Sequence, residues 1–110
     1  MNKNLKQNAL CKHLGPKYSI RYIDFERCIY RDFGNGFDVE ISGTHTMSER
    51  KKAKIYLWFD ANLIVTTVSN VNFDEIGEIV DELYELSCEL SVGGKPTREY
   101  LMKLKESGLV

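Results

Sequence analysis

The spacing of apolar residues changes period near Asn72, and that change restricts the chain to folds in which a helix lies across a sheet. Upstream, Phe37, Val39 and Ile41 alternate with Asp38, Glu40 and Ser42, and Ile55, Leu57 and Phe59 alternate with Tyr56 and Trp58. Downstream, Ile76, Ile79, Val80, Leu83, Leu86 and Leu90 recur at helical spacing. A two-residue period puts one set of side chains on each face of a strand, whereas a helical period gathers them into one stripe. The two apolar surfaces can be buried against each other in a single packing event.

Turn and cap residues divide the rest of the chain. Cys28–Phe33 and Phe37–Ser42 flank Gly34-Asn35-Gly36, a loop that supplies the positive φ values of a tight hairpin. Lys54–Asp60 and Leu63–Ser69 form a second hairpin around Ala61-Asn62, and the polar stretch Gly43–Ala53 reads as a loop. Tyr18–Ile23 is extended by composition; Asp24–Arg27 is either a turn or a bulge in one long strand. Asn72 is read as the N-cap of the long helix, with Glu75 completing a box-like pattern, and Gly93-Gly94 end it. Thr97 caps a last short helix carrying Tyr100, Leu101 and Leu104. At the other end Asn4–Leu14 reads as a helix with Leu5, Ala9 and Leu10 on one face, stopped by Gly15-Pro16. The expected fold class is α+β, in one domain spanning 1–110. It has a short N-terminal helix, a four- or five-stranded antiparallel sheet, a long acidic helix packed on one sheet face, and a short C-terminal helix.

Composition excludes several classes of function. A chain of 110 residues with 43% hydrophobic and 28% charged residues has the make-up of a globular domain. No apolar run approaches the roughly 18–20 residues needed to cross a bilayer, so no membrane is expected as a partner. The basic, leucine-spaced start lacks the apolar core of a signal peptide. Cys11, Cys28 and Cys88 are odd in number and form no CxxC pair, which points to a reducing, cytoplasmic compartment and to cysteines that act as small buried hydrophobes. His13 and His45 lie in no nucleophile or zinc motif, and Gly34-x-Gly36 has no helix behind it to hold a phosphate. The expectation is a protein that is not an enzyme, with no catalytic residues, no metal and no cofactor.

The charge pattern is more specific than the net charge of −1. Asn72–Ser91 holds seven acids (Asp74, Glu75, Glu78, Asp81, Glu82, Glu85 and Glu89) and no base. Residues 1–71 carry eleven bases against seven acids. Like charges at i,i+4 repel by a few tenths of a kcal/mol, roughly, and the late acids also oppose the helix dipole. These seven acids are therefore the expected contact residues for another protein with a basic surface. With the short sheet (Cys28–Ser42, Ile55–Val68) and the acidic helix (Asp74–Glu89), the whole chain resembles in general character the small inhibitors of phages and mobile elements, the anti-CRISPR proteins among them. That resemblance implies a protein-binding inhibitor that blocks a nucleic-acid-binding surface; it carries over no individual residue. The alternative is a nucleic-acid-binding module using Arg50, Lys51, Lys52 and Lys54 beside sheet aromatics Tyr30, Tyr56 and Trp58. The run Ser48–Lys54 is similar to the basic helix start of double-stranded RNA-binding domains, but the strand-like IYLWF after it rules that family out. The expectation for the three aromatics is cover by a terminal helix; uncovered, they would form an interface such as that of a homodimer.

Overall fold

A computed structural model of the chain describes residues 5–45 and 52–110. Its order is α1 (Leu5–Leu14), β1 (Ser19–Ile23), β2 (Glu26–Asp32), β3 (Phe37–Ser42), β4 (Lys52–Phe59), β5 (Leu63–Asn72), a 3-10 turn (Phe73–Glu75), α2 (Ile76–Leu90) and α3 (Arg98–Glu106). The five strands form one antiparallel sheet in the order β1-β2-β3-β4-β5. The expected α+β class and element order hold, with five strands rather than four. No helix among the described residues is long and apolar enough to cross a membrane.

The alternating residues behave as their period requires. Phe37, Val39, Ile41, Ile55, Leu57 and Phe59 are all buried, and they share one core with Ile76, Val80 and Leu83 of α2. Cys11 of α1 and Leu101 of α3 enter the same core. The three helices thus lie on the same side of the sheet.

Local details depart from the sequence reading in several places. Asp24-Phe25 is a two-residue turn between β1 and β2, with φ of 50 and 66, so the turn and not the bulge is what forms there. β4 starts at Lys52, two residues earlier than the alternation predicts, where it pairs with Asn72. Asn72 stands at the N-cap position of the 3-10 turn that runs into the long helix, but it also ends β5, and its side chain makes no capping bond. Its amide donates instead to the Glu75 carboxylate, and a 3-10 turn separates it from α2. The face of α1 is also rotated from the expected one. Leu5 and Ala9 are exposed, while Gln7 and Cys11 are buried. The reason is polar. Gln7 Nε2 donates to the Arg27 carbonyl and to Thr44 Oγ1, both at 2.8 Å, and Gln7 Oε1 accepts from Arg27. A satisfied buried amide sets the rotation of this helix, which leaves Leu10 and Leu14 packed at the margin of the core and turns Leu5 and Ala9 outward. Of the cysteines, Cys11 and Cys28 are buried as expected, and Cys88 is exposed.

Candidate functional site

Two surfaces carry the residues singled out from the sequence. The first is the outer face of α2. Burial of Ile76, Val80, Leu83 and Ser87 fixes the rotation of the helix, and all of Asp74, Glu75, Glu78, Asp81, Glu82, Glu85 and Glu89 are exposed. A polar clasp holds the far end: Asn35 Nδ2 in the β2–β3 hairpin donates to Ser87 Oγ at 3.0 Å, and Ser87 Oγ donates to the Tyr84 carbonyl at 2.6 Å. Among the described residues the seven acids make one ion pair, Asp81 with Arg31 at 3.5 Å. The other six carry uncompensated negative charge into solvent.

Arg31 is a residue that sequence reasoning missed. It shares the inward parity of Ile29 on β2, and it is 8% exposed. Its guanidinium carbon lies 5.5 Å from the Tyr18 ring centre, 5.1 Å from Phe33 and 5.6 Å from Tyr84. Parity alone would have pointed to it, because a cation between Ile29 and Phe33 on a buried face needs a specific environment.

The second surface is the opposite face of the sheet. No helix among the described residues lies over it, which corrects the expectation that one covers Tyr30, Tyr56 and Trp58. The strand register sets its residues in rows. Asp32 stands opposite Asp38, and Asp38 opposite Trp58; Tyr30 stands opposite Glu40, and Glu40 opposite Tyr56. In the Tyr30–Glu40–Tyr56 row a carboxylate lies between two rings, and in the other row Asp32 and Asp38 stand side by side before Trp58. The Tyr30 hydroxyl donates to Asp38 Oδ2 at 2.6 Å, and Trp58 Nε1 donates to Glu40 Oε1 at 3.1 Å. Arg21 stacks 4.0 Å above the Tyr30 ring, which is how Tyr30 comes to be buried without a helix. Tyr56 and Trp58 are half-buried, and Lys54 lies 5.2 Å from the Tyr56 ring centre. Lys52 and Lys54 are exposed, whereas Arg50 and Lys51 lie outside the described residues.

The ionisable groups of this face are pulled in opposite directions. Burial raises the carboxyls of Asp38 and Glu40, against the hydrogen bonds from Tyr30 and Trp58 respectively. Burial raises the Glu26 carboxyl too, but the Gly43 amide, the Ser42 hydroxyl and His45 outweigh it and lower that carboxyl overall. Between Glu26 and Glu40, burial and the two carboxylates push the Cys28 thiol up to about 12. A thiol held protonated is a poor nucleophile. His45 Nδ1 sits 3.3 Å from Glu26, while His13 faces a groove with Leu10 and Phe73 between α1 and the 3-10 turn. Among the described residues no three His, Cys, Asp or Glu side chains are arranged to hold a metal ion.

Comparison of the chain with known protein families, with curated proteins and with solved structures found no match. The reading of function therefore rests on these two surfaces.

Proposed function

We propose that the chain is a non-catalytic protein-binding module, an inhibitor or accessory factor that presents the outer face of α2 to a basic surface of another protein. The supporting observation is the exposure of all seven acids, five on α2 and two on the 3-10 turn that leads into it, six of them without a cationic partner among the described residues. A helix in which only stability mattered would gain from interspersed lysines at i,i+4. An acidic strip of this kind steers a basic partner and excludes acidic ones. A basic surface that otherwise holds nucleic acid fits this description, as the resemblance to anti-CRISPR inhibitors also suggests. The experiment is charge reversal of Glu78, Glu82 and Glu85 to Lys. The triple variant should keep its circular dichroism spectrum and lose affinity for a partner recovered from the native host and then purified. Affinity unchanged by the reversal would remove this reading.

The second reading, nucleic-acid binding, is favoured by the uncovered sheet face and by Lys54 against Tyr56. Asp32, Asp38 and Glu40 weigh against it, because a phosphate backbone laid over Tyr30 and Trp58 would meet carboxylates. A low-salt mobility-shift assay with single- and double-stranded DNA and RNA decides it. Absence of a shift at tens of micromolar protein, roughly, disposes of this reading.

A further inference from the structure

Arg31 is buried, and a buried cation is costly unless its charge and its donors are met. The rings of Tyr18, Phe33 and Tyr84 meet part of the charge. The Tyr18 hydroxyl meets one donor, but a guanidinium has five N–H donors in a planar fork matched to two oxygens. Among the described residues the one carboxylate within reach is Asp81, whose Oδ1 lies 3.5 Å from Nη1, at the outer limit of a hydrogen bond. The Asp81 side chain is itself 75% exposed and free to turn outward. Beside this pair is a cavity of about 310 Å³, bounded by Leu14 at the end of α1, by the Gly15–Lys17 turn and by Gly77 in the first turn of α2. Lys17 brings a second, exposed cation to the same cavity.

We propose that this cavity is a binding site for an oxyanion of the phosphate class, gripped by the Arg31 fork with Lys17 as its second cation, and that Asp81 occupies the place of one ligand oxygen until the ligand displaces it. Two converging cations match a dianion better than a single carboxylate. The cavity is also wider than a carboxylate needs. Glu78 and Glu82 lie nearby on α2 and repel any anion, so the affinity is on the order of millimolar. The inference does not depend on the reading of the acidic strip.

The test is a titration of the isotopically labelled full chain, followed at the Arg31 side-chain Nε–H and the Gly15 and Gly77 amides. One arm uses inorganic phosphate and the other O-phosphoserine, each against sodium chloride at matched ionic strength. Saturable shifts at these three groups in the wild type are the expected result. Asp81→Asn should tighten binding by about tenfold and Arg31→Lys should weaken it by about tenfold, the effect of one charge-assisted contact. Lys17→Ala, on the surface, should weaken it severalfold and carries the test if Arg31→Lys does not fold. Tighter binding of phosphoserine would point to a phosphorylated side chain of a partner, and tighter binding of phosphate to the free ion; both support the site. Shifts reproduced by chloride would overturn the proposal. So would binding confined to Asp81→Asn, since the native carboxylate would then keep the site closed.

Discussion

Glu40 is a carboxylate held where charge is expensive, and its neighbours only partly compensate. Its folded pKa is raised, chiefly by burial, so the folded chain binds this proton more tightly than the unfolded one does. Stability from this group therefore falls as pH rises through the window above the ordinary glutamate value. Glu40→Gln leaves an oxygen to accept from Trp58 and removes the buried charge. The variant should show a higher urea midpoint than the wild type at neutral pH. The advantage should shrink in acid, where Glu40 is protonated in both states; an advantage equal at both pH values would locate the penalty elsewhere. Glu26 works in the opposite sense: its lowered carboxyl contributes stability that is lost as pH falls through its folded value. Ala61 offers a second residue-level test. It sits in the β4–β5 turn at φ 58, a conformation that a Cβ disfavours. Ala61→Gly should stabilise the chain by about 0.5 kcal/mol, strain relief outweighing the entropy of the added glycine, and a thermal melt reads the sign. Neither coupling was legible in the sequence. Alternation tells which face Glu40 occupies, but only the register brings Trp58, Cys28 and Tyr56 to it.

Elements were more legible than residues, because periodicity is a property of many side chains at once. The apolar stripe of α2 and the inward faces of β3 and β4 are where the alternation and the helical period put them. Leu83, near the middle of α2, is 7% exposed in the core, and Glu82 beside it is exposed. Leu83→Ala should cost roughly 2–5 kcal/mol, while Glu82→Ala should cost almost nothing because it removes a repelling charge. Urea denaturation of the pair checks the rotation of the helix; equal losses would contradict it. Failures of the sequence reading occurred where a polar side chain set the geometry. Asn72 has the composition of a cap, yet β5 claims it as a ladder residue opposite Lys52. In α1 the leucine spacing was right for Leu10 and Leu14, which pack against the core, and wrong for Leu5 and Ala9, because Gln7, bonded to Arg27 and Thr44, is the anchor.

Among the described residues one sheet face is packed under the helices and the other carries none, and that asymmetry bears on self-association. Face-to-face stacking of two copies would bring the Asp32–Asp38 row and Glu40 of each against the other. Edge pairing of antiparallel β1 strands about their centre would set Arg21 against its own copy. Like charges directly opposed destabilise both arrangements. The expected result in sedimentation is a monomer at neutral pH and moderate concentration, and a dimer dissociated by Trp58→Ala would refute it. The identity of strand order and chain order has a different consequence, for the route by which the chain acquires its shape. Every strand finds its partner in the segment just made, so each pairing closes a short loop and loses little chain entropy. The sheet can be zipped strand by strand as the chain emerges from the ribosome. The two helices that follow have to wait: α2 must reach back across β3 and β4, where the Asn35–Ser87 bond is among the long-range contacts that fasten it, and α3 returns to β5.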